Sequence, residues 1–445
     1  MKTTIFSKRF FLDQLKNPTF INVLIVGAMT FIVKGMGFFK EMEVGRSFGL
    51  STLLDTFFIA LLIPGFINNV FMTSFQNVFI PNYIAEKKVS ITIGSFQSAC
   101  VIITIGLGIL LSISAYFFSA FFLEDIFVGH TLEYYDLVRS QFYIMLPCIL
   151  FWSLSSLLVG LLEVNGLFTF SSIYPIITSL IVILCLFFFK SVLGYKVLAF
   201  GMVIGSFIEF LYLLMVSIYK KTLKLSRPDF VSKNIVLLYR QLPAKIGSGF
   251  LTGTTGFVNQ FFAAKLLVGS IAALNYGMKI PAFLSSILII SIGNVVLPYF
   301  SNLVHENKLK AYVVLYKSIL YVFVISLFFA SLIFFFSEDI ISLLFEKGSF
   351  SSKDTLLVSR IQKILLIYIP FYISSIIIIK FLTSINKNSF MFYASILNLV
   401  LNVLLNYYLV RKYSIDGLAL ATTIVYVINF WVLFMFVHYQ RKKDT

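Results

Sequence analysis

The chain reads as an all-α polytopic membrane protein of about 12 transmembrane helices, in two six-helix lobes related by a pseudo-two-fold along the membrane normal. Three observations lead there. Of its 445 residues, 59% are hydrophobic and 12% charged, with a mean hydropathy of +0.96. That is more apolar surface than a water-soluble core can hide, so lipid must solvate most of it. Apolar runs of bilayer-crossing length recur from one end to the other. One segment also occurs twice: IPGFINNVFMTSFQNVFIP, ending at Pro81, returns as IPAFLSSILIISIGNVVLP, ending at Pro298. Pro64 matches Pro281, Phe66 matches Phe283, and Asn77-Val78 matches Asn294-Val295. A duplicated half in so apolar a chain points to a transporter-like protein with its working site between the copies.

The first run, 19–39, follows a basic, Phe-rich segment (Lys2, Lys8, Arg9, Lys16). It leads into further spans without a small-residue cleavage motif, so a removed signal peptide is not expected. The remaining spans are predicted at 53–80, 91–122, 138–162, 168–189, 195–218, 243–268, 271–298, 312–336, 357–383, 389–410 and 415–437. Between the sixth and seventh lies the longest polar stretch, 219–240, with a charge run and a Ser-Arg-Pro-Asp turn signal around Pro228. It divides the chain into an N-terminal lobe (1–218), a cytoplasmic basic linker (219–240) and a C-terminal lobe (241–445). Further pairs flank it. Pro147 and the Glu163-Val164-Asn165-Gly166 turn match Pro370 and Thr383-Ser384-Ile385-Asn386-Lys387, and Val197-Leu198-Ala199-Phe200 matches Gly417-Leu418-Ala419-Leu420. An even number of spans per half makes the copies parallel.

The formal net charge of +16 could suggest nucleic acid, but its distribution argues otherwise. Lys87-Lys88, the linker (Lys220, Lys221, Lys224, Arg227, Lys233, Arg240), Lys308, Lys310, Lys317 and Arg441-Lys442-Lys443 all fall on one side when spans are counted in order. The positive-inside bias makes that side cytoplasmic, with both termini there, and some of the excess faces anionic headgroups. Opposite loops carry Glu124, Asp125, Glu133 and Asp136, or Glu338, Asp339, Glu346 and Asp354. Cys100, Cys148 and Cys185 stand singly in apolar runs and read as small core residues.

A charge at mid-membrane costs about 2.5–3.5 kcal/mol even on the lenient insertion scale. This chain carries many: Lys34, Lys40 and Glu41 in the first span, Asp55 opening the second, Glu209 in the sixth, Lys245 and Lys265 bracketing the seventh, Lys279 in the eighth and Lys380 late in the tenth. They need a wet cavity or a headgroup. Lys34 and Glu41 share one helical stripe. Lys279 precedes Pro281 by two residues, where a local break in the helix is expected. Lys34, Lys40, Lys245 and Lys279 are therefore candidates for a cationic cavity suited to a phosphate or carboxylate ligand. Gly27, Gly35 and Gly37 in the first span, like Gly247, Gly249, Gly253 and Gly256 in the seventh, permit close packing or bending. Asn398, Asn402 and Asn406 form a polar stripe whose ordinary meaning is interhelical hydrogen bonding and whose alternative is a cation site. His130, His305 and His438 are scattered, and no phosphate-gripping loop or catalytic motif is visible. No enzyme activity, metal or cofactor is expected; an ion gradient or the membrane potential would supply the energy.

The runs Gly37-Phe38-Phe39-Lys40-Glu41, Phe48-Gly49, Leu54-Asp55-Thr56-Phe57-Phe58-Ile59-Ala60, Ile63-Pro64 and Phe79-Ile80-Pro81 resemble the N-terminal signature of the MviN/MurJ lipid II flippases, within the multidrug/oligosaccharidyl-lipid/polysaccharide exporter superfamily. Gln241-Leu242-Pro243-Ala244, Asn275-Tyr276-Gly277-Met278-Lys279, Gly293 to Pro298 and Leu343 to Phe350 agree with it. The resemblance implies an undecaprenyl-pyrophosphate-linked glycan, lipid II, carried from the cytoplasmic to the periplasmic leaflet of a bacterial inner membrane by rocking of two lobes around a cationic cavity. It places Lys40-Glu41 where the family has an Arg-Asp pair and keeps Asp55, Lys34 and Lys279. Two departures stand out. Asn68-Asn69 and Met72-Thr73-Ser74 replace an Arg pair and an Ala-Glu-Gly-Ala run, and about 12 spans replace the family's usual 14, whose last two form a groove for the lipid tail. The lost Arg pair favours a second expectation, export of another lipid-linked glycan such as an O-antigen or exopolysaccharide unit. A drug or cation antiporter would have to rely on Glu209 and Asp55 against repulsion by the lysines. A membrane glycosyltransferase would need an acidic catalytic pair in a sizeable loop.

Overall fold

The computed structural model describes residues 18–89, 93–121 and 129–444. The basic N-terminal segment with Lys2, Lys8, Arg9 and Lys16, and the acidic pair Glu124-Asp125, lie outside the described residues. Among the described residues all regular structure is helical. In chain order the helices are α1 (Pro18–Phe48), α2 (Thr52–Ile67), α3 (Thr73–Val89), α4 (Ile93–Phe121), α5 (Leu132–Val164), α6 (Phe168–Ile173), α7 (Pro175–Leu193) and α8 (Val197–Tyr219). There follow α9 (Lys233–Ala264), α10 (Ser270–Glu306), α11 (Lys308–Phe335), α12 (Ser337–Phe345), α13 (Ser352–Leu366), α14 (Ile369–Ser384) and α15 (Asn388–Asp444). Helices dominate because a lipid-solvated backbone must satisfy its own donors and acceptors.

Among the described residues, eight stretches are long and apolar enough to cross a membrane. Two of them, Phe168–Tyr219 and Ser389–Asp444, each hold two crossing helices, the second broken at Ser414. α1 (31 residues) and α9 (32 residues) lie where the first and seventh spans are expected and are not among these eight. α2 carries Pro64 and passes through a π-helical turn, Asn68–Met72, into α3. The break expected at Pro281 is not found: α10 stays helical across it, and Ser285 Oγ donates to the Pro281 carbonyl at 2.8 Å.

Helix ends follow local chemistry. Ser351 and Asp354 form a reciprocal capping box at the start of α13, and the Asn307 side chain accepts from Lys310 N at 2.8 Å to cap α11. The duplicated turns after α5 and α14 share one backbone pattern. Leu167 N donates to Leu162 O and Gly166 N to Glu163 O; Lys387 N donates to Leu382 O and Asn386 N to Thr383 O. Gly166 and Asn386 take the left-handed position, at φ 75° and 57°.

Contacts divide the chain into two compact units whose boundaries fall inside helices rather than at the basic linker. One holds the described parts of Met1–Glu41, Ile67–Phe118 and Phe142–Ile246; the other holds Met42–Phe66, Ser119–Gln141 and Gly247–Thr445. In the first, Phe75, Phe79, Tyr83, Phe96, Leu157 and Leu238 lie in one core. The basic linker docks on α4: the Gln97 side chain donates to Thr222 O at 3.0 Å and accepts from Lys224 N at 2.5 Å, and Ser98 Oγ accepts from Ser226 N at 3.0 Å. In the second, Phe381 packs against Phe300 and Tyr312 at centroid distances of 5.3 and 5.0 Å. Cys100, Cys148 and Cys185 are buried free thiols. Exposed aromatic faces such as Phe117, Phe188 and Phe328 are tolerable against lipid and costly against water.

Candidate functional site

The predicted lysines distribute over both units. In the first, Lys34 is exposed midway along α1, with uncharged residues on either side from Pro18 to Val33 and from Gly35 to Phe39. Lys40 is half-buried and pairs with Glu41 at 2.9 Å. Adjacent helical residues point about 100° apart, so the pair closes because the long Lys40 stem folds back along the helix. Lys245 is exposed on α9, and its carbonyl accepts from Ser74 Oγ at 3.2 Å. Asn68 is half-buried and Asn69 exposed, both in the π-helical turn. Lys279, half-buried on α10, belongs to the second unit.

Asp55, the charge that opens the second span, has a different environment. It is 2% exposed, its Oδ2 accepts from Gly269 N at 2.6 Å and its Oδ1 from Ala272 N at 2.8 Å. Its carboxylate thus caps the first turn of α10 from 214 residues away, satisfying donors that a helix leaves open and complementing its dipole. Gly269, at φ 91°, makes the turn into that cap. The sequence marked Asp55 as charged in a span but not the helix end it serves, since no local pattern links them.

The asparagine stripe of α15 is divided. Asn398 donates to Asn429 Oδ1 at 2.8 Å, within α15 across its kink. Asn402 and Asn406 are fully buried and both donate to Asn259 Oδ1, at 3.1 and 2.9 Å; Asn259 in turn donates to Thr422 Oγ1 at 3.0 Å. This is a neutral amide network joining α9 to both parts of α15, the interhelical hydrogen bonding that such a stripe ordinarily means. Sequence reasoning missed Asn259, although a lone asparagine in an apolar span was its signal. It also missed a cavity of about 870 Å³ in the second unit, lined by Ser51, His130, Glu133, Tyr134 and Lys265 among others.

Glu209 is 4% exposed on α8. Thr178, in the first turn of α7, lies against the same stretch of α8. Gly205 and Gly201, one and two turns earlier on the same face, bring α8 onto the backbone of α7: a Cβ on Gly205 would lie 2.8 Å from Thr178 Cα. The first unit therefore contains exposed and half-buried ammonium groups together with a deeply buried carboxylate.

A family model described as lipid II flippase MurJ matches residues 44–444. The probable lipid II flippase MurJ of Buchnera aphidicola subsp. Schizaphis graminum is 28% identical over 432 residues, covering 93% of this chain and 82% of that protein. The lipid II flippase MurJ of Thermosipho africanus is 25% identical over 430 residues, covering 95% and 86%. Among solved structures, a lipid II flippase MurJ in an inward closed conformation matches with a TM-score of 0.80 at 24% identity, covering 93% of this chain and 87% of that one. An inward-facing multidrug resistance MATE family transporter of the MOP superfamily matches at 0.75 and 13% identity, covering 95% and 98%. At these identities the two structures speak for the fold alone.

Proposed function

Because this chain belongs to the lipid II flippase MurJ family, we propose that it carries lipid II from the cytoplasmic to the periplasmic leaflet of a bacterial inner membrane by alternating access. The observation that carries the reading is Lys34, an ammonium exposed at mid-span on a helix whose neighbours are apolar. Bare lipid there would cost about 2.5–3.5 kcal/mol, so the side chain calls for water and an anionic ligand. Lys40 and Lys245 carry the same chemistry in that unit and Lys279 carries it in the other, and a pyrophosphate offers acceptors suited to ammonium groups. Both termini lie on the cytoplasmic side in this reading, as the basic loops require. The transport energy comes from an ion gradient or the membrane potential.

In liposomes the purified protein should translocate fluorescent lipid II. Lys34→Glu or Lys279→Glu should lower the rate about tenfold to a hundredfold, the equivalent of about 1.5–3 kcal/mol for a lost charge-assisted contact. Failure of intact, folded wild-type protein to move lipid II would overturn the reading.

One observation favours a second reading. Uncharged Asn68 and Asn69 occupy a π-helical turn where the family usually has arginines, which suits a cargo with a different or smaller anionic headgroup. Depletion in the native cell separates the two. Lysis with accumulated lipid II supports the first, and viable cells lacking a surface polymer support the second.

A further inference from the structure

The cavity of about 870 Å³ in the second unit has no part in moving the cargo. Three turns line it: the start of α2 with Ser51 and Thr52, the start of α5 with Thr131 and Glu133, and the turn from α9 into α10 with Lys265 and Leu267. Each joins an odd-numbered span to the next even-numbered one, so all three share a side, the outward one in the topology proposed above. The volume is that of a small-molecule site and far exceeds what one water fills.

Two opposite charges line this cavity, and among the described residues neither the Glu133 carboxylate nor the Lys265 ammonium is in an ion pair. Lys265 lies over the Phe261 ring, 4.2 Å from its centroid, a contact that leaves its three N–H donors open. His130 belongs to the wall instead: its Nε2 donates to Ala264 O at 2.8 Å, and its ring stacks on Tyr134 at a centroid distance of 4.1 Å. Helix dipoles account for an acid at the start of α5, or for a base just past the end of α9, each taken singly. They do not account for both lining one cavity with an apolar rim, where Leu267 is 83% and Val268 53% exposed. The turn bearing Lys265, Leu267 and Val268 is also held in place, because the Asp55 carboxylate accepts from Gly269 N and Ala272 N directly after it. A fixed turn presents its side chains without the ordering cost of a mobile loop.

We propose that this cavity is a binding site for a zwitterionic peptide, with a carboxylate on Lys265, an ammonium group on Glu133 and small apolar side chains against Leu267 and Val268. A ligand that is only an anion is repelled by Glu133, and one that is only a cation is repelled by Lys265; a ligand bearing both charges pairs with both. Peptide of this chemistry reaches the outward face either free in solution or attached to a lipid-linked glycan. Binding here does not depend on which glycan the chain carries.

Titration of the purified full chain in detergent, where both faces meet solvent, tests this with the tripeptide lysyl-alanyl-alanine acetylated at its α-amine, which keeps one ammonium and one carboxylate. Wild-type protein should bind it, and should bind about tenfold more weakly the forms in which the carboxylate is amidated or the lysine amine acetylated, each change removing one charge-assisted contact. Lys265→Gln should bind the free and amidated peptides alike, and Glu133→Gln the free and lysine-acetylated peptides alike. Both side chains are exposed, so each variant should keep the wild-type unfolding midpoint. Should a variant fail to fold, the modified peptides still decide the matter on wild-type protein. No binding by wild-type protein would overturn the proposal, as would equal affinity for the three peptides or wild-type discrimination retained in both variants. With binding established, displacement of the tripeptide by lipid II assigns the site to peptide on a lipid-linked cargo, and retention in its presence assigns it to free peptide. A chain that moves no lipid II yet binds the tripeptide with this pattern would lose the cargo reading and keep the site.

Discussion

Between α7 and α8 the chain turns at Gly194, with φ 53° and ψ −126°; 220 residues later, at the kink of α15, Ser414 has φ 53° and ψ −130°. The same backbone corner is built once with a residue that tolerates it and once with a residue that does not. The second copy has adjusted nearby. Gly417 stands where the first half has Val197, and a Cβ there would collide with the Leu409 carbonyl. Arg360 Nε reaches Asp416 Oδ1 at 3.0 Å beside the kink. Duplicated segments therefore keep geometry before they keep residues. The same holds one helix on, where Glu209 and Thr178 in one copy answer to Asn429 and Asn398 in the other.

The comparison can be broken at four places, with stability read from thermal unfolding in lipid or detergent. Gly417→Ala should cost most, about 3 kcal/mol, because the added carbon meets backbone rather than a movable side chain. A loss below a few tenths would mean the kink is not tightly built. Gly194→Ala should cost about 1–2 kcal/mol, the strain of a positive φ with a Cβ present; an unchanged midpoint would show that the corner relaxes freely. Asn429→Ala removes the partner of Asn398 and should cost about 1 kcal/mol, within the range for interhelical hydrogen bonds in membranes. Ser414→Gly runs the other way and should stabilise by about 0.5–1 kcal/mol by relieving the strained corner. If it destabilises instead, the two corners are not equivalent.

Much of the architecture was legible from local pattern. Span positions came from hydropathy, and the paired turns after α5 and α14 came from Glu163 to Gly166 and Thr383 to Lys387, whose backbone bonds coincide. The π-helical turn at Asn68–Met72 was not legible, and the break expected at Pro281 is absent. Proline announces a lost donor, while the helix may widen, bend or remain regular according to what packs beside it. Of the site residues, the lysines were visible as charges in apolar runs. Asp55 as the cap of α10 and Asn259 as the hub for Asn402 and Asn406 were not, because each partner lies more than 140 residues away.

The amino-acid order alone determined that the chain is helical, lipid-solvated and internally duplicated, since in hydrocarbon each span must satisfy its own backbone and so declares itself locally. Tertiary packing alone decided which polar side chain meets which: that Asp55 serves a helix end, that two asparagines converge on a third, and that a carboxylate in one half occupies the place of an amide in the other. A helical period tells which face a residue shares, and says nothing of the helix that will cover it.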